Sequence, residues 1–139
     1  MVHATAFAIG ASGLVWAWMR YVYDAGAEPD DPELMLEWTG AHAAEPLVRT
    51  LHLIAAPLAV FAVGFIWASH VAPRLLRPWA RRMTGLTLAA LLAPMVLSGV
   101  LLQTASSPEQ RDLWVWVHGI SSVVWILAYV VHQLRPRTR

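Results

Sequence analysis

The sequence predicts an all-α integral membrane protein, a four-helix bundle with both termini in the cytoplasm, forming one transmembrane domain over residues 1–139. Three observations carry that prediction. Of the 139 residues 58% are hydrophobic and 14% charged, against roughly 25% charged in soluble domains, and so short a chain has too little interior to hide that much apolar surface from water. Four runs, at 3–23, 49–72, 83–103 and 113–134, are each long enough to cross ~30 Å of hydrocarbon at ~1.5 Å per residue. The charges that remain are segregated into the segments between and beyond them.

Between Val2 and Tyr23 the one charged side chain is Arg20, which defines the first span. A cleaved secretory leader is the rival reading, but such leaders carry their basic residues ahead of the apolar run, and here the arginine follows it. The loop at 24–48 comes next, and Asp24 to Arg49 holds seven of the nine acids. Within it, Asp31 or Pro32 can open a short surface helix through Leu34, Met35, Leu36 and Trp38, and its acids offer a face to a soluble partner. The runs Thr50–Pro73, Met83–Gln103 and Leu113–Leu134 contain no Asp, Glu, Lys or Arg. They are rich in Leu, Ala and Val and lack strand-like alternation, so they are helices and not barrel strands. Arg74, Arg77, Arg81 and Arg82 follow the second span and Arg135, Arg137 and Arg139 follow the fourth, which places both segments in the cytoplasm and, by parity, the N-terminus as well. Trp16, Trp18, Trp38, Trp79, Trp114 and Trp116 fall where indoles anchor helices at headgroup level, while Trp67 and Trp125 lie deeper, as packing residues.

Composition also excludes several chemistries. The absence of cysteine removes disulfides, thiolate-held iron–sulfur clusters, Cys-ligated zinc and covalently attached haem, so any redox cofactor must be held by other ligands. A net charge of +1, with all ten basic residues arginine, argues against nucleic acid as a partner. No nucleophile–base pair, phosphate loop or carboxylate dyad points to hydrolysis or group transfer.

The histidines carry the chemistry. His52 and His70 lie near the outer and inner ends of the second span, and His118 and His132 do the same on the fourth. Fourteen residues separate the second pair, about 21 Å of rise and close to four whole turns. Eighteen separate the first, about 27 Å and nearly five turns. Each helix thus offers a stacked pair of imidazoles from one face. An imidazole within a membrane is costly unless it has a partner or lines a functional path. Hydrogen bonding to a neighbouring helix is the plain alternative, and zinc is another, but zinc wants three or four ligands gathered together. Two opposed imidazoles are what a six-coordinate haem iron needs, because the porphyrin supplies the other four nitrogens. The expected ligands are His52 with His118 for an outer haem b and His70 with His132 for an inner one. The interval mismatch of about 6 Å calls for tilt, a bend at Pro57 or offset ligands, and His3 is the substitute inner ligand.

Gly85 and Gly99, also fourteen residues apart on the third span, can let a helix backbone approach a macrocycle or simply pack against another helix. Gly10 and Gly13 on the first span admit the same two readings. Ser98, Thr84 and Ser121 can bond a propionate or a local carbonyl. Arg20 and Arg49 are candidate partners for outer propionates; Arg81, Arg82 and Arg74 are candidates for inner ones, although topology alone accounts for that inner group.

The run from Trp114 to Gln133 with His118 and His132, the paired histidines of span two, and Gly85 with Gly99 resemble the four-helix cytochrome b subunits of bacterial respiratory hydrogenases and formate dehydrogenases. The resemblance covers almost the whole chain. It implies two haems stacked across the bacterial inner membrane, with electrons passing between a redox protein or larger respiratory complex and the quinone pool. It also implies an electron-transfer subunit and not a stand-alone catalyst. His3, His42, Glu37 and Trp38 are candidate contributors to a quinone pocket, although His42 in its polar loop reads more simply as a surface residue. Bis-imidazole ligation leaves iron no open position and so points to one-electron transfer. A cofactor-free scaffold subunit and a His-lined proton or metal conduit are the alternative functions.

Overall fold

The computed structural model describes residues 2–23, 26, 41–75 and 82–134. Among them are four helices long and apolar enough to cross a membrane, and no strand. They are α1 (Val2–Tyr21), α2 (Glu45–Ile66), α3 (Arg82–Thr104) and α4 (Pro108–Leu134). The surface helix expected near Asp31–Trp38 lies outside the described residues, as do Arg77, Trp79, Arg81, the side chain of Arg82 and the tail arginines 135, 137 and 139. The chain falls into two compact units, Met1–Val63 and Gly64–Arg139.

In the first unit, α1 closes where the amides of Val22 and Tyr23 both donate to the Trp18 carbonyl, at 3.0 and 2.9 Å. This satisfies a carbonyl that the helix end would otherwise leave unpaired. Helix α2 starts at Glu45, earlier than the span expected from residue 49, because local groups cap it. The Glu45 amide donates to the His42 carbonyl at 2.8 Å, and Pro46 occupies the first turn, where a missing N–H costs nothing. The Glu45 carboxylate suits the positive end of the helix dipole and also ties the two helices together. Its Oε1 accepts from Trp16 Nε1 at 3.2 Å and lies 3.8 Å from an Arg20 guanidinium nitrogen.

The second unit begins within the final turns of α2. There the chain leaves α geometry for a π turn over Trp67–Val71, followed by one α-helical turn over Ala72–Leu75. The Ala72 amide donates five residues back to the Trp67 carbonyl. Pro73 supplies the physical cause. In an α-helix its ring collides with the carbonyl four residues earlier, that of Ser69, and a wider turn moves that carbonyl away. The α-helical hydrogen-bond pattern continues past Pro57, where the sequence placed a possible bend, and gives way to the π turn here. The eighteen residues from His52 to His70 are therefore not spanned by uninterrupted α-helix, and counting faces at 3.6 residues per turn does not carry across them. Trp67, expected to pack, is 42% exposed.

Helices α3 and α4 pack together in antiparallel register across a short turn. Helix α4 begins at Pro108, before the span expected from 113, because Ser107 caps it. The Ser107 hydroxyl oxygen accepts from the Gln110 amide at 3.2 Å and the Ser107 carbonyl from the Arg111 amide at 3.0 Å. In return Gln110 Oε1 accepts from the Ser106 amide and hydroxyl at 3.3 and 3.2 Å, a capping box shifted by one residue. Trp125 packs as expected, with Nε1 donating to the Leu88 carbonyl at 3.2 Å and its ring stacked on Tyr129. Outside these seams the surface is apolar. Phe7, Phe65 and Leu134 are 76%, 75% and 78% exposed, which suits hydrocarbon and not water.

Candidate functional site

Three of the histidines sit in one repeated arrangement. On the facing helix a hydroxyl residue is followed by glycine; the hydroxyl meets the imidazole Nδ1 and the glycine makes room for the ring. In the first unit Ser12 and Gly13 of α1 receive His52 of α2, with Oγ to Nδ1 at 3.1 Å. In the second, Ser98 and Gly99 of α3 receive His118 of α4 at 3.2 Å, and Thr84 and Gly85 receive His132 at 2.9 Å. The interval from Gly85 to Gly99 equals that from His118 to His132, and antiparallel register brings the two pairs into correspondence. Both α4 imidazoles therefore leave the same face, toward α3.

Each glycine is used to a different degree. A Cβ at Gly13 would stand 2.9 Å from His52 Cε1 and one at Gly99 would stand 3.2 Å from His118 Cε1. At Gly85 the distance to His132 Cε1 is 3.7 Å, an ordinary contact. The sequence offered these hollows to a macrocycle or to helix packing, and the flat group lying against each is an imidazole.

The hydrogen-bond partners bear on which nitrogen carries the proton. Ser12 Oγ reaches the Ala8 and Ile9 carbonyls at 2.7 and 3.2 Å; with its proton on the nearer of them it accepts from His52 Nδ1. His118 Nδ1 lies 3.0 Å from the Met95 carbonyl, which can only accept, so here too Nδ1 holds the proton. Ser98, 1% exposed, donates to the same carbonyl at 3.1 Å. In a neutral ring with Nδ1 protonated, the lone pair resides on Nε2. That is the donor set a haem iron takes, with the Nδ1 bond orienting the ring and raising its basicity, so these residues fit the group. Among the described residues no three His, Asp or Glu side chains gather into a cage for a bare metal ion.

His70 is different. It is exposed, within the π turn, and its Nδ1 lies 2.7 Å from an Arg74 guanidinium nitrogen that also donates to the His70 carbonyl at 3.2 Å. Guanidinium only donates, so His70 Nδ1 accepts and the ring proton is on Nε2. His42 shares that tautomer, because its Nδ1 accepts from the Ala44 amide at 3.1 Å. The His42 ring meets Tyr23 edge-on at 4.9 Å and lies 6.1 Å from Trp18.

The other expected residues stand as follows. His3 is exposed in the first turn of α1. Arg20 and Arg49 line a cleft of about 270 Å³ with Ala41, Glu45 and Pro46, so the structure does bring those two cations to one place. Arg74 is engaged with His70, Arg82 opens α3, and Arg81, Glu37 and Trp38 lie outside the described residues. Ser121 donates to Val117 and His118 carbonyls on its own helix. Sequence reasoning missed Ser12 and the Met95 carbonyl as histidine partners. The available signal was the hydroxyl–glycine dipeptide, which recurs at 12–13, 84–85 and 98–99. Set against protein-family models, curated proteins and solved structures, the chain matches none of them.

Proposed function

We propose that this chain is a membrane-bound b-type cytochrome. It holds two non-covalent haems through histidine and passes electrons across a bacterial inner membrane, between a redox protein or larger respiratory complex and the quinone pool. The observation that carries the proposal is the repeated bracket in which a hydroxyl or carbonyl meets Nδ1 and a glycine admits the ring, at His52, His118 and His132. At His52 and His118 the Nδ1 contacts leave the lone pair on Nε2, the nitrogen a haem-binding histidine would use.

When bound, haem supplies one-electron cycling of iron between its ferric and ferrous states. The chain's own residues orient and insulate it. Ser12, and Ser98 with the Met95 carbonyl, hold the His52 and His118 rings in one tautomer. Arg20 and Arg49 offer cations to carboxylates at one end of the first unit. The apolar helix faces keep water away from the centre, which favours electron transfer over side reactions. Sequence spacing selects His52 and His118 as the outer pair and His132 for the inner position, which His70 joins only by giving up its Arg74 contact.

The test is haem content. Protein expressed in haem-replete cells and purified in detergent should be red, carry two haems per chain, and show a low-spin imidazole-ligated spectrum that sharpens on reduction. Substituting His118→Ala should remove the outer haem while the helical circular dichroism persists. Colourless protein overturns the proposal and leaves the scaffold or conduit readings.

A further inference from the structure

The cleft of about 270 Å³ in the first unit gathers Arg20 of α1 with Ala41, Glu45, Pro46 and Arg49 at the opening of α2. Two of these five residues are guanidinium cations and one is a carboxylate, and the carboxylate is already engaged. Glu45 Oε1 accepts from Trp16 Nε1 at 3.2 Å and lies 3.8 Å from an Arg20 nitrogen, with its side chain 13% exposed. At 3.8 Å the Arg20 contact is an ion pair without a hydrogen bond. The Arg20 side chain is 53% exposed, so its N–H groups stay open to a further acceptor. Arg49 is exposed and has no carboxylate partner among the described residues. Two cations against one carboxylate leave the cleft a formal charge of +1, which one monoanion neutralises.

Depth narrows the choice of anion. Arg20 is the last residue but one of α1, and Arg49 directly precedes the uncharged run that begins at Thr50. This is the level at which a span leaves hydrocarbon for headgroups, and the anion concentrated there is the phosphodiester of a phospholipid. A phosphodiester carries one negative charge, as the cleft requires, and its two free oxygens suit the fork of N–H donors on a guanidinium.

We propose that Arg20 and Arg49, gathered in one cleft with the already engaged Glu45, bind the phosphodiester of a single anionic phospholipid. A headgroup that carries its own cation, such as choline, sets that cation beside the two arginines, so an uncharged glycerol headgroup is preferred. The proposal goes beyond haem binding and does not depend on it; a haem carboxylate and free phosphate are the rival occupants.

The experiment is native mass spectrometry of the detergent-purified full chain after incubation with equal amounts of phosphatidylglycerol and phosphatidylcholine. The wild type should retain one phosphatidylglycerol per chain in preference to phosphatidylcholine. Arg20→Gln and Arg49→Gln should each weaken that retention about tenfold, the loss of one charge-assisted hydrogen bond, with unchanged helical circular dichroism. Arg111→Gln, at an exposed arginine in the first turn of α4, should retain the lipid as the wild type does. Equal retention of the two lipids, or an equal loss in Arg111→Gln, would mean diffuse attraction to the surface and overturn the proposal. Displacement of the lipid by millimolar inorganic phosphate would assign the cleft to a free anion, and an Arg49→Gln protein that loses haem but keeps phosphatidylglycerol would assign it to a haem carboxylate. Either result refutes the lipid site, whereas colourless protein that still retains phosphatidylglycerol would uphold it and overturn the cytochrome function alone.

Discussion

A histidine can ligate a metal only through a nitrogen that carries a lone pair, so the partner of Nδ1 decides what each ring can do. By that criterion the chain's histidines divide. His52 and His118 donate from Nδ1, to Ser12 and to the Met95 carbonyl, whereas His42 and His70 accept there, from the Ala44 amide and from Arg74. The division predicts a directly readable pattern. In haem-free protein labelled with ¹⁵N-histidine and assigned by single substitutions, His52 and His118 should show protonated Nδ1, and His42 and His70 protonated Nε2. A protonated Nδ1 at His70 would contradict the Arg74 contact. Little of this was legible in the sequence. Spacing singled out four histidines as equivalents, because position along a helix says nothing about which atom meets a ring. Ser12 escaped notice because small polar residues in membrane helices usually bond a local carbonyl. It does that too, toward Ala8, and the same oxygen accepts from His52.

At the scale of the helices, hydropathy and charge were sufficient to locate all four spans, and the largest shifts at their starts come where capping groups extend them. Glu45 with Pro46, and Ser107 with Gln110, lengthen α2 and α4 beyond their uncharged runs. The π turn was not legible, because an inserted residue leaves composition unchanged; its signal was Pro73, whose ring conflicts with a carbonyl one turn back. The glycines yield a graded prediction. Gly13→Ala forces a methyl within 2.9 Å of His52 Cε1, Gly99→Ala within 3.2 Å of His118 Cε1, and Gly85→Ala only within 3.7 Å of His132 Cε1. Overpacking of this kind costs about 1–3 kcal/mol, set against a helix-propensity gain of up to about 1 kcal/mol for Gly→Ala. Heat stability in detergent, followed by circular dichroism, should therefore fall most for Gly13→Ala and less for Gly99→Ala, and hold steady or rise for Gly85→Ala. On the proposed function, displacing the ring also loosens the haem, so haem retention should follow the same order. Gly85→Ala as the most damaging of the three would contradict the geometry.

For the whole molecule, the distribution of charge and apolar surface determines how the chain meets a bilayer. Long exposed stretches such as Phe7, Phe61 and Phe65, at 76%, 65% and 75%, cannot be left in water without driving association. The four apolar helices supply a way to bury them in lipid. The arginines predict which way the helices cross. Arg74, Arg77, Arg81 and Arg82 between the second and third crossings and Arg135, Arg137 and Arg139 at the end make translocation of those segments unfavourable. On that expectation the acid-rich loop at 24–48 and the short turn at 105–107 would lie on the opposite side. Because the chain contains no cysteine, single introduced thiols report this without background. Ala43→Cys and Ser106→Cys should react with a membrane-impermeant maleimide in intact spheroplasts, whereas Ala80→Cys and Thr138→Cys should react only after permeabilisation. The inverse pattern would invert the topology and put Arg20, Arg49 and the acidic loop on the cytoplasmic side. A mixed pattern would mean that one of the four helices does not cross. Then the equal fourteen-residue intervals on α3 and α4, whose antiparallel packing brings both brackets together, would be the part of the architecture left standing, because they depend only on the second unit.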